Sequence, residues 1–173
     1  MDLHVPAYLK LLIPLAGCAL ILVRFGRKDI LAPNLFWPPW PAVALWAFLG
    51  LAWMLGTDAI VNWRGPFDFG PWRAAPPLNS LFRVLGVGIA GPAMEELIFR
   101  GFIFGRLLRT RLAGPGTLLI TSAVWAGLHW DYPALVIAII FVQGLLLGGA
   151  RLRTGSVLLP ILMHCLWNLY AVW

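Results

Sequence analysis

The chain has 173 residues, of which 61% are hydrophobic and 12% are charged, against about 45–50% and 25% in a soluble domain. Mean hydropathy is +0.84, more apolar surface than a fold of this length can hide from water. Lipid is therefore the expected solvent, and a disordered, collagen-like or disulfide-scaffold chain is excluded. The net charge of +6 comes from thirteen Lys and Arg scattered singly between apolar runs. That is a topology pattern rather than a basic patch, so no nucleic-acid partner is expected.

Six apolar segments follow, at about 5–23, 39–57, 78–108, 115–130, 133–150 and 156–173. A helix needs roughly 20 residues to cross the hydrocarbon core. Backbone groups in lipid must bond within their own segment, and the apolar/polar alternation of a barrel strand is absent. The expected fold is all-α, a polytopic membrane bundle of about six transmembrane helices. Residues 1–77 are read as two N-terminal spans with an interfacial loop, and 78–173 as a four-helix core.

In the first segment Leu15-Ala16-Gly17-Cys18 matches a lipoprotein cleavage box. The residues after it stay apolar and only Lys10 precedes it as a cation, so an uncleaved span is expected. Cys18 and Cys165 read as small core residues with neither metal spacing nor a disulfide. The stretch from Asp58 to Pro77 is rich in Pro, Gly, Trp and Phe, which favours an interfacial loop over a substrate-guiding lid.

Loop charges alternate. Arg24, Arg27 and Lys28, then Arg106, Arg109 and Arg111, then Arg151 and Arg153 fall on one side; Arg64 and Arg73, offset by Asp58, Asp68 and Asp131, fall on the other. The positive-inside rule puts the first set in the cytoplasm and both termini outside. A plasma (inner) membrane is the expected location. Trp37, Trp40, Trp63, Trp72, Trp130 and Trp173 flank the runs as interfacial anchors do. Gly101 with Gly105, and Gly144 with Gly148, are spaced for close helix contacts.

Segment three contains Glu95-Glu96-Leu97-Ile98-Phe99-Arg100. Facing lipid, these three ionisable groups would cost roughly 8–10 kcal/mol on insertion scales, so they must face a protein interior or a wet cavity. Glu96 and Arg100 are i,i+4 and form a self-neutralising pair. That leaves Glu95 unpartnered beside a second acid, as a candidate general base. Gly91-Pro92 predicts a break or kink that places Glu95 in a helical first turn.

Two further polar pairs lie in other segments, Trp125 with His129 and His164 with Asn168, each four residues apart. His164 lies eleven residues past Arg153 and Glu95 eleven before Arg106, each about 16 Å along a helix. His129 lies nearer the outer face. The groups are expected to converge on a cavity between mid-depth and the outside, because none faces lipid cheaply.

At these residues the chain resembles the type II CAAX prenyl endopeptidase family, also called the CPBP or bacteriocin-processing/Abi family and including lysostaphin resistance protein A-like proteins. The family pattern is Glu-Glu-x-x-x-Arg, aromatic-x-x-x-His and His-x-x-x-Asn/Asp on successive membrane helices. Here it reads Glu95-Glu96 with Arg100, Trp125 with His129, and His164 with Asn168. Phe99, Gly101 and Ser122 also fit, and Trp125 departs from the usual Phe. The resemblance covers roughly residues 80–172.

The resemblance implies a glutamic-type intramembrane endopeptidase with no cofactor. Glu95 would activate water with His129, Glu96 and Arg100 would orient the site, and His164 and Asn168 would stabilise the oxyanion. Its substrate would be a membrane-associated peptide or protein, prenylated or carrying a sorting tail. A zinc protease using Glu95, His129 and His164 is the nearest rival, although no His-Glu-x-x-His helix exists. A non-catalytic immunity factor, scaffold or proton-linked carrier is the rival from another class. No Gly-x-Ser-x-Gly elbow supports a serine mechanism.

Overall fold

The computed structural model describes residues 6–25, 34–63 and 70–172, the side chains of 25, 71, 72 and 172 excepted. Arg27, Lys28, Arg64, Asp68 and Trp173, and the side chain of Trp72, lie outside the described residues. The described chain is all-helical. Its elements are α1 (Ala7–Phe25), α2 (Trp40–Val61), the single turn α3 (Gly70–Arg73), α4 (Pro77–Leu85), α5 (Gly91–Glu96), α6 (Phe104–Leu107), α7 (Ala113–Gly127), α8 (Ala134–Thr154) and α9 (Leu158–Val172).

Boundaries follow local chemistry. Pro39, Pro76 and Pro133 sit at the N-caps of α2, α4 and α8, where a missing N–H costs nothing. Asn62 ends α2 in the left-handed region, its amide donating to the Asp58 carbonyl. Gly155 (φ +74°) ends α8 the same way, bonding to Arg151 O.

Among the described residues, three helices are long and apolar enough to cross a membrane: Ala7–Arg24, Trp40–Val61 and Ala134–Thr154. The burial pattern agrees. Ile60, Val23, Leu20 and Phe48 are exposed, while Glu96, Arg100, Gln143, Ser122 and His164 are buried. This is an integral membrane bundle, its outside greasy and its costly polar groups turned inward among apolar core residues. At 15 residues α7 covers about 22 Å, short of the ~30 Å core.

Segment three is a continuous rod from Pro77 to Leu107, and Pro92 does not break it. Two π-helical stretches, Gly86–Ala90 and Leu97–Ile103, flank α5. Ala90 and Gly91 keep helical dihedrals, and the Gly91 amide bonds to Gly86 O. Glu95 therefore has no free first turn beneath it, and the expected dipole effect is absent. The wider π turn absorbs the proline.

A π turn leaves carbonyls off the regular ladder, and buried carbonyls need donors. Counting five residues back from Pro92, which has no N–H, reaches Val87 O; Asn168 Nδ2 on α9 donates to it at 2.9 Å. At the second π stretch the Phe104 amide reaches Phe99 O rather than Arg100 O, and Arg151 Nε on α8 donates to Arg100 O at 3.0 Å. Cys165 and Cys18 are free thiols directed at Ile89 O and Ala90 O. Arg151 is thus a buried structural donor inside α8, not the loop cation its position suggested.

Helix α1 packs against α4, α5 and the first π stretch. A Cβ on Gly86 would overlap the Lys10 carbonyl oxygen. Gly86→Ala is expected to lower stability by about 1–3 kcal/mol, because a helix backbone rather than a flexible side chain must move; a detergent melting curve checks this. Gly144 and Gly148 abut Ser122 and Leu118 of α7 as their spacing suggested, whereas Gly105 has open space beside it and makes no close contact. Trp37, Trp40 and Trp130 are exposed as anchors should be. Trp63 is not; it is buried and stacks on Trp167, ring centroids 5.4 Å apart.

Candidate active site

Glu96 is completely buried on α5. Its Oε1 accepts from Arg100 Nη1 at 2.9 Å and from His164 Nδ1 at 3.0 Å. Arg100, equally buried, also donates Nη2 to Gly144 O at 3.2 Å, so the guanidinium ties Glu96 to α8 and the imidazole ties it to α9. A carboxylate only accepts, so the His164 hydrogen sits on Nδ1. Nε2 is left to the cavity, as a lone pair in the neutral ring and as a donor when the ring carries both protons.

Glu95, one residue earlier, is not unpartnered as its sequence context suggested. The Trp125 indole Nε1 donates to its Oε2 at 2.7 Å. The ring also meets His129 and His164 edge-on, at centroid distances of 5.4 and 5.1 Å, and Arg100 Cζ lies 4.7 Å from its centroid. A Phe at this position would keep the ring contacts and lose the hydrogen bond. Trp125→Phe is expected to fold normally and lose about 10- to 100-fold in any activity that needs Glu95 in place, a charge-assisted bond being worth about 1.5–3 kcal/mol; paired melting and turnover measurements check it.

His129 lies just beyond α7, in the turn after Gly127 rather than on the helix. Its Nδ1 meets the Trp125 carbonyl at 2.9 Å. Because a carbonyl only accepts, that nitrogen carries the hydrogen and Nε2 keeps a lone pair in the neutral ring. Tyr132 stacks on the imidazole, centroids 5.8 Å apart. Partial burial, then the Asp131 and Glu95 carboxyls, push the Tyr132 phenol above its ordinary value, so it stays neutral at physiological pH.

These groups line one cavity of about 210 Å³. Glu95, His129, His164 and Asn168 face it, with Trp125, Arg83, Tyr132, Val136 and Gln143. Glu96 and Arg100 stand behind His164 and Trp125. The sequence reading missed Gln143, Arg83 and Tyr132. Gln143 did carry a signal, as the single strongly polar residue between Ala134 and Ala150; Arg83 and Tyr132 resemble ordinary interfacial residues. Among the described residues no three His, Cys, Asp or Glu side chains are grouped to hold a metal ion, which includes the proposed zinc set of Glu95, His129 and His164.

A Glu-Glu-Arg cluster, with Glu96 and Arg100 buried and Glu95 half-buried, thus meets two imidazoles and an amide at one cavity of a membrane bundle. The family model for type II CAAX prenyl endopeptidase Rce1-like proteins matches residues 77–170, more than half the chain, and the chain belongs to that family. Among its relatives, an Escherichia coli protein of 24.3 kDa is 32% identical over 142 residues, covering 73% of this chain and 64% of the relative. A Bacillus subtilis (strain 168) protein named as membrane peptidase YdiL is 26% identical, covering 87% and 60%. The Staphylococcus aureus (strain USA300) protein named membrane-embedded CAAX protease MroQ is 26% identical, covering 73% and 56%. The chain thus spans about three-fifths of the length of these relatives. No solved structure matches it significantly.

Proposed function

We propose that this chain is an intramembrane endopeptidase that hydrolyses a peptide bond of a membrane-associated substrate, prenylated or bearing a C-terminal sorting tail, by glutamate- and histidine-activated water. The observation that carries this reading is the single cavity lined by Glu95, His129, His164 and Asn168. Glu95 takes a proton from water, and His129 Nε2 is the second acceptor beside it. The water oxygen attacks the scissile carbonyl carbon. The resulting oxyanion is held by the second N–H of Asn168 Nδ2, whose first is spent on Val87 O, and by His164 Nε2 when that ring is doubly protonated. Glu95 then returns its proton to the leaving amine as the C–N bond breaks. Glu96 and Arg100 position His164 and do not touch substrate.

In this reading residues 78–173 form the catalytic core, residues 1–77 supply two supporting spans and an interfacial loop, and the protein sits in a bacterial plasma membrane with both termini outside. The test is a proteome-wide comparison of new N-termini in cells carrying the wild-type or the Glu95→Gln chain. Termini present only with wild type support the reading. Identical termini, with a transport or immunity phenotype lost instead, would overturn it in favour of a non-catalytic membrane protein.

A further inference from the structure

Outside the three motifs, Arg83, Tyr132 and Gln143 bring polar groups to the cavity, and of these Gln143 alone is buried. It is 1% exposed on α8, and its Oε1 accepts no hydrogen bond from any described residue. Its side chain lines the cavity that holds Glu95, His129, His164 and Asn168. With Trp167 it also lines a second, apolar pocket of about 120 Å³ bounded by α2 and α9. Its place is fixed, since the adjacent Gly144 carbonyl is held by Arg100 Nη2 and Gly144 abuts Ser122 of α7. A buried acceptor without a donor is costly in a membrane interior, and Leu or Val would serve packing better.

We propose that Gln143 is a substrate-binding residue whose Oε1 accepts a backbone N–H of the peptide beside the scissile bond. This rests on the hydrolase reading above. A peptide bond in a membrane helix is open to attack only once the segment is drawn out of helical form. Its N–H and C=O groups then lose their internal partners and must find new ones in the protein. The scissile carbonyl has His164 and Asn168. The liberated N–H needs an acceptor, and Val136, Ile139 and Ile140, which line the cavity from the same helix as Gln143, offer none. A substrate from the bilayer carries mostly apolar side chains, so its backbone amide is the donor this oxygen will meet.

The experiment uses purified full chains in detergent and a quenched peptide spanning one Glu95-dependent cleavage site from the terminus comparison. Gln143→Leu is expected to raise KM about tenfold with kcat within about twofold, the signature of a contact made equally in ground and transition states. Gln143→Glu, which keeps an oxygen acceptor, should recover most of that loss. Gln143→Leu should also melt no lower than wild type, since the leucine removes an unpartnered polar atom. An unchanged KM overturns the assignment and leaves the oxygen to bound water. A lowered melting temperature overturns it too, by marking the carboxamide as structural. Both failures leave Glu95-dependent cleavage intact; if no such cleavage exists, the hydrolase reading falls and this assignment with it.

Discussion

Glu95→Gln and His129→Ala are each expected to lower cleavage by about 10²–10⁴-fold, the range contributed by a positioned proton acceptor, and the double variant should fall no further. The Gln carboxamide keeps an oxygen for Trp125 Nε1, so the 2.7 Å contact survives and folding should be unaffected, while the proton acceptor is gone. His129 is held through Nδ1 by the Trp125 carbonyl, which leaves Nε2 available as the second acceptor proposed above. Because the same tryptophan steadies both groups, they should act as one unit, and units of this kind are grossly non-additive. Rates of the two single variants and the double on one cleavage-site peptide check this. Independent, multiplying losses would show that the carboxylate and the imidazole serve separate steps.

Arg100→Met carries the largest expected effect on stability, a loss of about 3–5 kcal/mol, because it strands a buried carboxylate without its cation. Glu96 and Arg100 are both wholly buried, 2.9 Å apart, and Glu96 Oε2 has no described partner to share the charge. The arginine also bonds Gly144 O and lies over Trp125, so its loss loosens α8 and the wall behind Glu95 together. The double replacement Glu96→Leu/Arg100→Met removes both charges and should recover most of the stability, since an apolar pair often replaces a buried ion pair at little cost. Cleavage should stay low in it, because His164 then loses the carboxylate that fixes its Nδ1 hydrogen. Melting and turnover of the three chains in the same detergent separate the two effects.

The helical bundle and the list of groups that had to face inward were legible from residue chemistry. Charges and imidazoles among apolar residues are expensive in lipid wherever they sit, so Glu95, Glu96, Arg100, His129, His164 and Asn168 identify themselves. The i,i+4 pairing of Glu96 with Arg100 is local, and helix geometry alone delivers it. Pro92 was misread for the same reason its position was noticed: local rules say that a proline interrupts the ladder, and they do not see the π turn before it or the Asn168 amide that satisfies Val87 O. Arg151 was misread alike, its buried bond to Arg100 O depending on a second π turn.

Partnerships between helices depend on how those helices rotate and pack, which no spacing along one chain segment encodes. Only packing sets the indole of Trp125 on Glu95, thirty residues away. The same is true of His164 on Glu96 and of Gln143 beside the motif residues. Lipid dictates which side chains must be hidden; the meeting of α5, α7, α8 and α9 dictates which atom each of them faces.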